Sequence, residues 1–110
     1  MKDLNVSLLM DFYGNLLPEK QRDMLDQYYG EDLSLSEIAR NSGITRQGVH
    51  DNIRRAAAEL REYEQKLGLL SRFSDITDAA SRIKDIVDSS GNDELIRQIS
   101  SLLDIIIKEA

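Results

Sequence analysis

Apolar residues along this chain recur at intervals of three and four, and no stretch alternates long enough to predict a strand. Leu4, Leu8, Leu9 and Phe12 lie at helical spacing between Asp3 and Tyr13, and Gly14 follows as a stop signal. A short loop, Asn15-Leu16-Leu17, leads to Pro18 in the first turn of a second helix, where its missing N–H costs nothing. Glu19 in that turn suits the helix dipole, and the helix carries Met24, Leu25, Tyr28 and Tyr29 as far as Gly30. Ser34-Leu35-Ser36-Glu37 is a capping-box pattern; it opens a short helix, Leu35 to Asn41, that ends at Gly43. Thr45 then caps a long helix with Val49, Ile53, Ala56, Ala57 and Leu60 on one face, running to about Lys66. Gly68 marks a break within a seam at residues 67–73, and a capped segment from Ser74 carries Ile76, Ala80, Ile83 and Val87. After the turn cluster Ser89-Ser90-Gly91-Asn92, a last helix from Asp93 to Glu109 carries Leu95, Ile96, Ile99, Leu102, Leu103 and Ile106. The pattern predicts an all-α chain, with a helix-turn-helix domain over residues 1–67 and a C-terminal helical hairpin over residues 68–110.

The helix-turn-helix reading rests on residues 35–49, a short helix, a turn containing glycine and a second capped helix. Ala39 sits where the two helices cross, and a larger side chain would push them apart. Gly43 falls where the turn needs a left-handed backbone. Ile38, Ile44, Val49 and Ile53 are expected to form the small core that fixes the angle of the second helix. Gly48, inside that helix, costs about 0.5–1 kcal/mol relative to alanine. Close contact with the preceding helix is one reason for it, and close approach of a ligand backbone is the other.

Charge narrows the partners. Fourteen basic and 20 acidic residues give a formal charge of −6, so the surface as a whole cannot bind polyanions. One segment departs from that trend: between Thr45 and Arg61, Arg46, Arg54, Arg55 and Arg61 face only Asp51 and Glu59. The second helix of the motif therefore carries the candidate nucleic-acid contacts, Thr45, Arg46, Gln47, His50, Asp51, Arg54 and Arg55. Arg and Gln can make paired hydrogen bonds to guanine and adenine edges, and Thr45 with the helix N-terminus could meet a phosphate. His50, a lone imidazole on a polar face, is assigned a contact role and no catalytic one.

Composition excludes most catalytic chemistry. There is no cysteine, and with His50 the single histidine the chain offers neither thiolate nor poly-imidazole metal sites. Asp75, Asp78, Asp85 and Asp88 recur on a face that solvated helices normally show, and no strand precedes a glycine-rich phosphate loop. No enzyme, metal or cofactor is expected. The opening Met1-Lys2-Asp3-Leu4 is not a basic-then-apolar leader and no apolar run approaches the ~20 residues of a membrane span, so the expected location is the cytoplasm.

The run from Leu17-Pro18-Glu19-Lys20-Gln21-Arg22 through Tyr28-Tyr29 to Asp32-Leu33-Ser34-Leu35-Ser36-Glu37-Ile38-Ala39 resembles the helix-turn-helix of sigma-factor region four. Extended through Thr45-Arg46-Gln47-Gly48-Val49-His50-Asp51-Asn52-Ile53-Arg54-Arg55 to Tyr63-Glu64-Gln65-Lys66-Leu67, it is closer to the YlxM family of small bacterial proteins. Gly48 and His50 stand where that family more usually has alanine and tyrosine. The resemblance covers roughly residues 4–70. It implies DNA binding by a regulator through fold analogy, or, because the family is encoded beside the signal recognition particle protein, contact with that particle's RNA and proteins.

The C-terminal helices are argued from their own residues. Two amphipathic helices alone bury too little to be stable, so they must pack on the first domain or on another chain. Ile105, Ile106 and Ile107 are consecutive and point around more than half of the last helix, which suggests a homodimer through these residues.

Overall fold

The computed structural model describes residues 4–109, which leaves Asp3 and the rest of the opening tripeptide outside the described residues. All regular structure among these residues is helical: α1 (Leu4–Tyr13), α2 (Glu19–Leu25), α3 (Leu35–Ser42), α4 (Arg46–Leu67), α5 (Leu69–Asp88) and α6 (Asp93–Glu109). The chain divides into two compact units between Gly68 and Leu69.

In the first unit α4 is the central element, and α1, α2 and α3 all pack on it. Its core is Val6, Leu9 and Tyr13 of α1, Leu17, Leu25, Ile38 and Ala39, closed by Val49, Ile53, Ala56, Ala57 and Leu60 of α4. Leu8, expected on the apolar face of α1, is instead 48% exposed, because Val6 and Tyr13 take the inward positions on either side of Leu9. The Tyr13 ring stacks on Tyr63, with centroids 6.0 Å apart. Its hydroxyl donates to Glu64 Oε1 at 2.6 Å, which ties α1 to the last turns of α4.

The segment between α1 and α3 departs from expectation in two ways. Residues 14–16 form a 3-10 turn, closed by the Leu17 N–H donating to the Gly14 carbonyl at 3.2 Å. Pro18 stands at the N-cap, not the first helical position: its ψ of 144° is extended, and its carbonyl accepts the first helical bond from Arg22 N–H. An N-cap residue needs no N–H of its own, so proline serves there as well. The second helix does not reach Tyr29 as a regular coil. Residues 26–30 widen into a π-helical turn in which the Glu31 N–H donates to the Asp26 carbonyl at 2.9 Å. Within that turn Tyr28 and Tyr29 meet edge to face with centroids 5.0 Å apart, and both are half-buried.

The second unit is a hairpin of α5 packed on α6. Gly68, at φ 64°, closes α4 in a left-handed conformation, and α5 begins at the next residue, not at Ser74. The expected seam of residues 67–73 therefore shrinks to one glycine, because Leu69, Leu70 and Phe73 already continue the apolar stripe of α5. Inside the hairpin Ala80, Val87 and Leu103 are buried. Asn92 caps α6 by accepting from the Leu95 N–H at 3.1 Å, and Lys84 on α5 pairs with Asp104 on α6 at 3.8 Å. The three consecutive isoleucines split: Ile107 is half-buried on the side facing α5, while Ile105 and Ile106 are 56% and 47% exposed.

Candidate nucleic-acid interface

The turn between α3 and α4 is built from local hydrogen bonds that its own residues dictate. Ser34 Oγ accepts from the Glu37 N–H at 3.1 Å, and Glu37 Oε1 accepts in return from the Ser34 N–H at 3.2 Å. These bonds satisfy two donors that the start of α3 would otherwise leave open. At its other end Gly43 adopts φ 70°, and its N–H donates to the Ala39 carbonyl at 2.9 Å. Two residues later Thr45 caps α4, accepting from the Gly48 N–H at 3.0 Å. With Ile38 and Ala39 buried against α4, the axis of α4 is held by packing on one side and by its cap at the N-terminus.

Two expectations about this motif are corrected. Ile44 is 40% exposed and does not join Ile38, Val49 and Ile53 in the core. It lies beside Gly48, where an added Cβ would come within 3.5 Å of its Cδ1 and 3.1 Å of Thr45 Oγ1. The glycine therefore accommodates the capping residue and its neighbour, not the preceding helix. His50 is half-buried, and its Nδ1 lies 3.7 Å from Asp51 Oδ1.

The outward side of α4 follows from its buried one. Val49, Ile53, Ala56, Ala57 and Leu60 define the core face, so Gln47, Asp51, Arg54 and Arg55 project on the other, and all four are exposed. Asp51, Arg54, Arg55 and Ala58 line a shallow groove there. Arg46 is exposed in the first turn, where four backbone N–H groups begin the helix. Thr45 is exposed with its oxygen engaged as a cap acceptor; its hydroxyl hydrogen remains available to a ligand.

Arg46, Arg54 and Arg55 form no ion pair among the described residues, whereas Arg22, Lys66, Lys84 and Arg97 each hold a carboxylate on their own or a neighbouring helix. Spacing alone missed one feature: Gln47 Nε2 donates to Asp51 Oδ1 at 3.0 Å, one turn along the same face. The i, i+4 separation was the signal for it. That bond holds the amide against Asp51, which keeps its negative charge on the same face. Asn52 is held in the same way, by donating to the Gly48 carbonyl at 2.8 Å. Among the described residues no cluster of three or more His, Asp or Glu side chains could hold a metal ion, and no helix is long and apolar enough to cross a membrane.

A family profile described as "Putative helix-turn-helix protein, YlxM / p13 like" matches residues 1–102. A UPF0122 protein of Halalkalibacterium halodurans is 42% identical over 103 residues, covering 94% of this chain and 94% of its own. A UPF0122 protein of Shouchella clausii is 44% identical over 107 residues, covering 97% and 95%. One from Desulforamulus reducens is 46% identical over 89 residues, covering 80% and 76%.

Proposed function

Since the chain belongs to the UPF0122 family of helix-turn-helix proteins like YlxM and p13, we propose that it is a non-catalytic, cytoplasmic nucleic-acid-binding protein, a regulator that meets duplex DNA through the outward face of α4. The observation that supports this most directly is the set of exposed arginines, Arg46, Arg54 and Arg55, with no internal partner, displayed beside Gln47 by a helix whose opposite face is core. A helix about 10 Å across fits the major groove, where guanine offers two acceptors to a guanidinium and adenine a donor and an acceptor to an amide. Arg54 and Gln47 are the base readers in this reading. Arg46, Arg55 and the Thr45 cap hold phosphates, with His50 and Asp51 at the edge of the contact.

A second reading is an RNA- and protein-binding accessory factor of the signal recognition particle without specific DNA binding. It draws support from the net charge of −6 and from Asp51 at the centre of the face, both of which oppose a phosphate-dense duplex. Fluorescence anisotropy of the full chain with duplex DNA and with signal recognition particle RNA, across a salt series, separates the two. Arg54→Ala should weaken binding by about 1–3 kcal/mol if it reads a base, whereas Arg46→Ala should lower the salt slope by about one unit. If the Arg46→Ala/Arg54→Ala double variant binds every nucleic acid as wild type does, α4 is not the interface.

A further inference from the structure

The second unit buries little of what it carries. Among its described residues only Ala80, Val87 and Leu103 are buried, while Ile76, Ile83 and Ile86 on α5 and Leu95, Leu102, Ile105 and Ile106 on α6 are 38–71% exposed. All but Ile105, which lies on the far side of α6 from the hairpin interior, fall in register. Along α5 the inward stripe runs Phe73, Ala80, Val87, and a second stripe runs Ile76, Ala79, Ile83, Ile86 at spacings of three and four, displaced by about 90° at ~100° per residue. Along α6 the inward stripe runs Ile96, Ser100, Leu103, Ile107, and the second, Leu95, Leu102, Ile106, is displaced by a similar angle in the same rotational sense. Because the two helices of a hairpin run antiparallel, equal displacements in the same sense bring both second stripes to one face. Arg72, one turn before Ile76, is the charged residue at the N-terminal end of the α5 stripe; from Ile76 to Ile86 and from Leu95 to Ile106 the stripes carry no charge. The hairpin therefore has two apolar faces, one used within the unit and one open.

We propose that the open face is a self-association surface, on which a second copy of this chain docks hairpin to hairpin to form a four-helix bundle. The α5 stripe keeps the spacing of three and four that interlocking helices require, and the α6 residues, seven and four apart, fall in the same register. The area suits that occupant. The 17 residues of α6 span about 25 Å, and two packed helices present a face about 20 Å wide. Two such faces remove on the order of 1,000 Å² from water, the level at which specific interfaces begin. The face also matches its own copy in length and in residue type. The face runs from Ile76 and Ile106 at one end to Ile86 and Leu95 at the other, with Ile83 and Leu102 nearer its middle; Ile107 belongs to the hairpin interior and Ile105 to neither stripe, so neither is part of the contact. Residues 69–110 carry five basic and eight acidic side chains, so the two hairpins repel weakly, and added salt should strengthen the association. The proposal is independent of which nucleic acid α4 binds.

Sedimentation equilibrium of the full chain from roughly 5 to 200 μM tests it. The expected result is a mass that rises with concentration from 12.5 kDa to twice that value. Ile86→Lys and Leu102→Lys should each weaken the association at least tenfold. Ser81→Lys, which adds the same charge on the opposite side of α5, should leave it unchanged. A mass of 12.5 kDa throughout would mean that this face is covered within one chain or by a different protein, and the proposal fails. It fails equally if Ser81→Lys acts like Ile86→Lys, or if both lysine variants on the face remain dimeric. Should a variant lose its helical signal, the wild-type melt decides: a melting temperature independent of concentration overturns the dimer, and one that rises with concentration supports it.

Discussion

Replacing Gly43 separates backbone strain from crowding in the turn that positions α4. The residue sits at φ 70° and ψ 23°, and a Cβ built there meets no atom within 4 Å. A larger residue therefore has room and lacks only the conformation. Left-handed backbone costs an L-residue roughly 1–2 kcal/mol, and loss of glycine's freedom in the unfolded chain returns about 0.4–1 kcal/mol of that. Gly43→Ala should accordingly lose about 1 kcal/mol, Gly43→Asn about half as much because its side chain tolerates this region, and Gly43→Val about 2 kcal/mol. For a unit of this size each kcal/mol lowers the melting temperature by about 4–8 °C, readable by circular dichroism at 222 nm. Well below the melt, all three variants should bind nucleic acid as wild type does, since the substituted side chain faces open space. Equal losses for Asn and Val would refute the strain argument and point to a steric cause; no loss for Val would refute the left-handed turn itself.

Thr45→Ala removes the acceptor of the Gly48 N–H and should cost about 1 kcal/mol, with Thr45→Ser nearly neutral, as urea denaturation would show. A Thr45→Ala variant as stable as wild type would mean that water replaces the cap at no cost. Tyr13→Phe deletes the 2.6 Å bond to Glu64 and should cost about 1.5–3 kcal/mol, with no change in nucleic-acid affinity, because Glu64 stands ten residues, about 15 Å, further along α4 than Arg54. A loss below 0.5 kcal/mol would show that Glu64 is satisfied equally well by other groups.

Features set by a few adjacent residues were legible in the chain; features set by distant packing were not. The Ser34–Glu37 box, the Thr45 cap and the left-handed Gly43 all depend on groups within four residues of one another, so their chemistry could be read directly. The exposure of Gln47, Arg54 and Arg55 followed from the apolar stripe opposite them, whereas Arg46 shares the side of Val49 and Ile53 and is exposed because it stands in the first turn. The π-helical turn at residues 26–30, by contrast, coincides with two half-buried tyrosine rings whose surroundings no local pattern contains. In α5 and α6 the apolar residues span two adjacent stripes, and periodicity cannot say which one faces the partner helix. That is why Ile76 and Ile83 looked like core beside Ala80 and Val87 but are exposed. Ile44 misled for a related reason: an apolar residue between a left-handed glycine and an N-cap lies in the turn, where neither helix covers it.

The charge distribution along α4 limits how such a protein can hold a polyanion. Its unpaired arginines lie in the first three turns, while Glu59, Glu62 and Glu64 occupy the turns beyond. A bound strand must therefore leave the helix after about Arg55, and few phosphates can be held. If Arg46 and Arg55 each neutralised one phosphate, the logarithmic salt slope would be about −1.8 for one copy, against about −3.6 for two. Between 50 and 200 mM salt the first loses roughly 12-fold in affinity and the second roughly 150-fold. A site this small gains sequence preference from a base contact such as Arg54, but one copy has few phosphate contacts from which to draw affinity for duplex DNA. Doubling the contacts by pairing two chains is the economical way to combine a net charge of −6 with specific binding, and the open isoleucine and leucine face of the hairpin supplies the means to pair them.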